Sequence, residues 1–379
     1  MSLSGDGRRL AGGDASGELC LYDFVTETEL FRWRDSGPIF GVDLSHSGER
    51  VVVCGSNKHA RVFDVSTGAP IYDKKFPDRV RACKISGDGT FIATGNFNGL
   101  VDVCSIDHGA SYHSFEHHST VRSVSIDVAG YVLATGCDDG CCRVYDLRPS
   151  NSNKGKAAWS AIHRAKVWVV AVSPDGTKVA AGDYDDTVCV YAADSGRVVW
   201  CRSSWTTEDA PFTWGLSFSG DGGVLAIGKW NSYVYLLDTT NWEMLSTIKR
   251  GGRVYSVSLD HYGQRIAVGG RDKMAVVYSV DAPGQRRASR KMTQLLFSET
   301  RPSFIHAVAL TRDGKHVCAG SVDNNVCIYN VDAQRLLHKI NHSGAVTSIS
   351  FSPDAQHLVI GGESKSVRLH VSQVCSCLY

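Results

Sequence analysis

Residues 121–146 read VRSVSI DVAG YVLATG CDDG CCRVYD, and this stretch decides the fold. Val121 to Ile126 reads as a first strand. Asp127 to Gly130 is turn chemistry, since Asp bonds nearby backbone and Gly accepts positive φ. Tyr131 to Gly136 is almost wholly apolar, which predicts a short strand buried on both faces. Cys137 to Gly140 turns again, Cys141 to Asp146 is a third strand, and a fourth precedes the next unit.

The unit recurs along the chain. Ser4 to Gly7, Ser86 to Gly89, Ser173 to Gly176 and Ser219 to Gly222 each read Ser-x-Asp-Gly. Ser45 to Gly48, Asp127 to Gly130, Asp260 to Gly263, Thr311 to Gly314 and Ser352 to Ala355 are degenerate copies. Successive copies end 41, 41, 41, 46, 46, 41, 51 and 41 residues apart. One supersecondary unit has been copied, with additions accepted only in loops. No useful length shows helical periodicity, so the chain reads as all-β.

Composition bounds the function. In 379 residues, 40 Lys and Arg balance 39 Asp and Glu, which excludes a basic nucleic-acid coat or an acidic tail as a description of the whole. No apolar run approaches the roughly 20 residues that span a bilayer. The start, Met1 to Gly7, has no charged head before an apolar stretch, so no secretory signal peptide is expected. Thirteen cysteines, an odd count, fit free thiols in a reducing compartment, cytoplasmic or nuclear. Cys104, Cys189, Cys318 and Cys327 lie in apolar alternating runs and are expected as small buried hydrophobes.

These repeats resemble the WD-repeat β-propeller family over almost the whole sequence. The family's turn Asp before the third strand matches Asp139, Asp185, Asp272 and Asp323. Its His before the first strand matches His117, His163 and His342. The naming Trp-Asp pair is absent, and Tyr22, Phe63, Cys104, Tyr145, Tyr191, Leu237, Tyr278, Tyr329 and His370 hold its Trp position. The resemblance implies one propeller of four-stranded antiparallel blades over 1–379. Its repeats lie near 1–34, 35–75, 76–116, 117–162, 163–205, 206–249, 250–298, 299–340 and 341–379. Nine repeats with a truncated first one predict eight or nine blades.

His117 with Asp139 and His163 with Asp185 have the residue types of a catalytic pair, but no Gly-x-Ser-x-Gly elbow accompanies them. The resemblance makes each a structural bond between a loop and a turn, and the chain is read as no enzyme. Cys137, Cys141 and Cys142, and Cys375 with Cys377, lack zinc-ligand spacing, so no metal or cofactor is expected. Insertions fall at Arg148 to Ala157, Ser203 to Pro211 and Ala282 to Met292. The last holds Arg286-Arg287-Ala288-Ser289, which makes Ser289 a candidate site for a basophilic kinase.

In the family, binding residues recur on one face. They are the second residue of each first strand, the residue two before it, and the residue preceding the turn Asp. That register selects Arg79, Arg81, Phe97, Arg122, Lys166, Trp168, Tyr184, Phe212, Trp214, Trp230, Arg253, Tyr255, Arg271 and His306 as partner-binding residues. Across these positions six basic residues meet two acidic ones, Asp138 and Glu363, in an otherwise balanced chain. Aromatic anchors beside Arg suit protein interfaces, and Arg grips carboxylate or phosphate with two parallel bonds. The expected function is a non-catalytic scaffold binding acidic or phosphorylated peptide segments of other proteins. Two alternatives stand: a subunit associated with RNA or single-stranded nucleic acid, and a propeller enzyme.

Overall fold

The computed structural model describes residues 2–3, 9–13, 17–23, 28–109, 111–148, 156–203, 205, 212–230, 232–280, 294–341, 345–351, 357–362 and 367–371. These residues form nine antiparallel meanders and no helix: eight sheets of four strands and one of three, each with its strands in chain order. The first sheet opens on a strand of two residues, Ser2–Leu3. The ninth comprises Val346–Phe351, His357–Gly362 and Val367–Val371. Met1–Trp205 and Thr206–Tyr379 are two compact units, with five sheets in the first and four in the second.

The recurrent turn phrase is a small hydrogen-bond network. In the third sheet Ser86 Oγ donates to Asp88 at 2.5 Å and accepts the Phe91 N–H at 3.1 Å. Asp88 in turn accepts the Thr90 N–H at 3.0 Å. Gly89 closes the turn at φ 74°, a region that other residues enter only with strain. Ser173, Ser219 and Thr311 repeat the first two bonds.

Second strands are the most deeply buried. In Phe91–Asn96 only the first residue keeps appreciable exposure. First strands run beside those of neighbouring sheets, and their polar residues stitch the sheets together. Ser123 and Ser125 accept the Val170 and Val172 N–H groups at 3.3 and 3.1 Å. Ser256 and Ser258 do the same for Val308 and Leu310 at 3.1 Å each. These polar residues thus satisfy backbone that a strand edge leaves unpaired.

Aromatic rings join the sheets at their outer side. The residue in the family's Trp position meets a ring from the preceding sheet's fourth strand: Phe63 with Trp33 at 5.0 Å, Tyr145 with Phe115 at 3.7 Å, Tyr191 with Trp159 at 5.1 Å, Tyr329 with Phe297 at 4.8 Å. Trp is replaced at that position, but its packing task is kept. One cysteine departs from expectation. Cys189 stands directly opposite Cys201 across the third and fourth strands of the fifth sheet, and the two are disulfide-bonded. A twelve-residue separation hides a register that only the hairpin creates. Nine other described cysteines are free, eight of them buried.

Candidate functional site

The face begins with a backbone irregularity. In the second to ninth sheets, pairing of the first two strands skips one residue: Phe40, Arg81, Arg122, Trp168, Trp214, Tyr255, His306 and Thr347. Each is a β-bulge, which leaves one residue outside the ladder. A second recurrent feature locks the other two register positions together. The Phe97, Asp138, Tyr184, Trp230 and Arg271 N–H groups donate to the carbonyls of Arg79, Thr120, Lys166, Phe212 and Arg253 at 2.8–3.1 Å. Close packing at this knot explains a glycine: a Cβ on Gly270 would meet the Arg253 carbonyl at 2.3 Å.

In the first unit the bulges gather guanidinium groups and rings. Arg79 lies over Phe97 at 4.3 Å, and Phe97 meets Phe40 at 6.1 Å. Arg122 lies over Trp168 at 4.9 Å, and Trp168 meets the exposed Tyr184 at 6.1 Å. Charge is unevenly available. Arg122 makes a two-pronged bond to Asp138 at 2.8 and 2.7 Å, and Lys166 reaches the same carboxylate at 3.4 Å. Burial works against the Asp138 charge, but Arg122 overrides it and holds this carboxyl below its usual range. Arg81 is different. It is half-buried, and no described residue gives it a carboxylate or a hydrogen bond. Burial, and then the neighbouring Arg122 guanidinium, weaken its hold on its proton.

In the second unit the same positions build a chain of rings. Phe212 stacks on Trp230 at 4.9 Å, Trp230 meets Trp214 at 5.0 Å and Tyr255 at 5.9 Å, and Tyr255 meets His306 at 4.7 Å. Arg253 covers Trp230 at 4.5 Å, and Arg271 lies 5.8 Å from Phe304. A cavity of about 230 Å³ opens between the first strands of the sixth and seventh sheets beside Trp214 and Tyr255.

The structure brings many of these register positions into contact and adds a charge pairing that the sequence did not show. Asp138 was visible in the register as an acidic residue, yet only distance shows that it occupies two of the expected cations. Phe40 and Phe304 were also in register, and the structure adds them to the aromatic partners of Phe97 and Arg271. Ser289, Cys375 and Cys377 lie outside the described residues.

The His and Asp residues hold the scaffold, with different partners from those expected. His117 bonds Thr135 Oγ1 at 3.0 Å, while Asp139 pairs with Arg143 at 2.8 Å and accepts the Cys141 N–H at 2.9 Å. His163 bonds Asp183 at 3.3 Å and the Tyr191 hydroxyl at 3.0 Å. Asp183 stands beside His163 in place of the exposed Asp185, and its Oδ1 also accepts the Asp185 and Thr187 N–H groups at 3.0 and 2.8 Å. Burial, then Arg143, lowers the His117 pKa from 6.5 to about 4. An unfolded chain takes up this proton first, so His117 contributes stability above pH 6.5 that is lost as pH falls toward 4. The full effect is about 3 kcal/mol. Denaturant midpoints measured from pH 7 to 4 are expected to fall less steeply for His117→Gln than for the native chain. Equal slopes would contradict the assignment.

Four stretches, 109–146, 161–192, 294–330 and 334–370, match the family profile "WD domain, G-beta repeat". The chain is 26% identical over 202 residues to the WD repeat-containing protein VIP3 of Arabidopsis thaliana, covering 53% of this chain and 50% of that one. It is 22% identical to the U3 small nucleolar RNA-associated protein 15 homolog of Xenopus laevis, over 61% of this chain and 42% of that one. It thus spans half or less of these two relatives. It is 21% identical to THO complex subunit 3 of Arabidopsis thaliana, over 78% of this chain and 90% of that one. Among solved structures, the computationally designed Ika8 protein superposes with a TM-score of 0.66 at 20% identity, over 88% of this chain and 96% of that one. The Cps50 (Swd1) β-propeller domain of Myceliophteria thermophila gives 0.52 at 18% identity, over 76% and 94%. Four stretches of the chain are therefore similar to WD repeats, and its sheets have the fold of β-propeller blades.

Proposed function

We propose that this chain is a non-catalytic scaffold that holds other proteins by acidic or phosphorylated segments, acting in the nucleus. The observation that carries this reading is Arg81: a half-buried guanidinium without a carboxylate, beside a second Arg, Arg122, which itself lies over the Trp168 ring. A phosphate or carboxylate arriving there would complete a bond that the fold leaves open. Arg79 extends the anion site of the first unit, and Phe212, Trp214, Trp230 and Tyr255 anchor apolar side chains in the second. The names of relatives, a THO complex subunit among them, support a role within assemblies.

The test is an array of acidic peptides, each with and without phosphate on Ser, Thr or Tyr. The intact chain is expected to retain acidic peptides and to favour phosphorylated forms. Trp168→Ala and Trp214→Ala should each weaken retention at least tenfold. Unchanged retention by both would remove the face from the account.

A second reading draws on the ring chain of the second unit and on the relative named as associated with small nucleolar RNA. Bases stack on such rings, and phosphates would meet Arg253 and Arg271. Affinity for single-stranded RNA that falls steeply with salt would favour it over peptide binding.

A further inference from the structure

At the opposite end of the same strands, the fourth and fifth sheets enclose a groove of about 450 Å³. Its wall is fixed by Trp159, whose indole N–H crosses between the sheets to the Ala193 carbonyl at 2.8 Å. Val132 and Val144 form an apolar floor, and Tyr131 stands 47% exposed at the rim. Four carboxylates line the groove, Asp127, Asp146, Asp175 and Asp194, against one guanidinium, Arg148.

The four carboxylates differ in availability. Arg148 holds Asp146 through two bonds of 2.8 and 2.6 Å. Asp175 is engaged by Ser173 and Thr177 within its own turn. Asp194 is exposed, and no described residue bonds its carboxylate. Asp127 is 6% exposed, and its Oδ1 accepts the Tyr131 and Val132 N–H groups at 2.7 and 2.8 Å. Its Oδ2 takes no bond from a described residue and lies where a Cβ on Gly176 would come within 2.8 Å. This position holds Ser in the third, fifth and sixth repeats, where a hydroxyl alone accepts the equivalent N–H. The charge at Asp127 is thus not needed for the turn.

We infer that this groove is a second docking site, which receives a partner protein's segment carrying Lys or Arg next to an aliphatic side chain. Charge complementarity selects the cation: it would lie between the buried Asp127 and the exposed Asp194, and its pairing with Asp127 is stronger than one at an open surface. The floor of Val132 and Val144 takes the aliphatic group. Sheets and bulges separate this site from the Arg81 cluster by the length of a six-residue strand, about 20 Å.

The test uses the full chain and a fluorescent octapeptide of alternating Arg and Leu, with alternating Glu and Leu and the polyamine spermine as comparison probes. The Arg-Leu peptide is expected to bind. Asp127→Ser, which keeps the hydroxyl acceptor used by other repeats, is expected to weaken it at least tenfold. Asp194→Asn, at an exposed position that holds no part of the fold, should weaken it severalfold. Arg81→Glu should leave it unchanged, so that failure here and failure of the acidic-peptide site are separable. No binding by the native chain, full binding by both Asp variants, or equal binding of the Glu-Leu peptide would overturn the proposal. Spermine binding as tight as the peptide would overturn its apolar half.

Discussion

Reversing the charge of Arg79 and Arg81 together, to Glu, is expected to abolish retention of acidic and phosphorylated peptides, a loss of a hundredfold or more. Each charge-assisted hydrogen bond contributes about 1.5–3 kcal/mol, and every 1.4 kcal/mol is about tenfold in affinity. The two residues differ in weight. Arg79 is exposed and screened by salt, whereas Arg81 is half-buried and keeps its field. Arg81→Glu alone should therefore account for most of the loss. It should also relieve repulsion at Arg122, so the sheets stay folded. Arg122→Ala is expected to behave differently. It leaves the Asp138 carboxylate to Lys166 alone, adding a poorly compensated negative charge beside the anion site. Calorimetric titration of one phosphorylated peptide against the three variants checks the order. Equal affinity of Arg81→Glu and the native chain would remove Arg81 from the site.

Phe63→Ala is expected to destabilise the first unit by about 3–5 kcal/mol, the usual loss when a large aromatic leaves a core. Phe63 is fully buried on the third strand of the second sheet. It contacts Phe31 at 5.6 Å and Trp33 at 5.0 Å, both from the fourth strand of the first sheet. Removing the ring strips one wall from both partners and leaves a cavity between sheets that the rigid ladders close poorly. Aromatic pairing adds about 0.5–1.5 kcal/mol beyond burial. The midpoint of denaturant unfolding should fall accordingly, and Phe63→Leu should lose less. A midpoint shift below 1 kcal/mol for Phe63→Ala would show that the rings are not what holds these sheets together.

The turn phrase made the fold legible because Ser, Asp and Gly each have a separate backbone task at fixed offsets, seen at Ser86, Asp88 and Gly89. The aromatic Trp position was legible for a similar reason, since packing between sheets demands a ring and tolerates Phe63 or Tyr145 in place of Trp. Bulges were not legible. Val121-Arg122-Ser123 looks the same in sequence whether or not Arg122 leaves the ladder, because the extra residue is a matter of pairing, not composition. Pairing of charges was hidden for a related reason. Asp138 and Lys166 are 28 residues apart, and only adjacency of sheets brings them within reach. Asp183, not Asp185, is the carboxylate beside His163, because it ends the buried second strand while Asp185 lies exposed in the turn. Asp127 did leave a sequence mark, as a carboxylate where six copies of the phrase carry Ser and only Asp260 shares it, but its meaning needed the groove around it.

On the proposed function, residues lifted out of the ladder at the bulges form the surface that partners touch. Quantitative affinity purification tests it most directly, comparing the intact chain with a variant carrying Arg81→Ala, Trp168→Ala and Trp214→Ala. A control variant carries Ile162→Ala and Leu336→Ala, at outer-strand positions 86% and 50% exposed. Partners recovered with the intact chain are expected to be lost from the bulge variant and kept by the control. Partners kept by the bulge variant, or lost from the control alone, would contradict the proposed function.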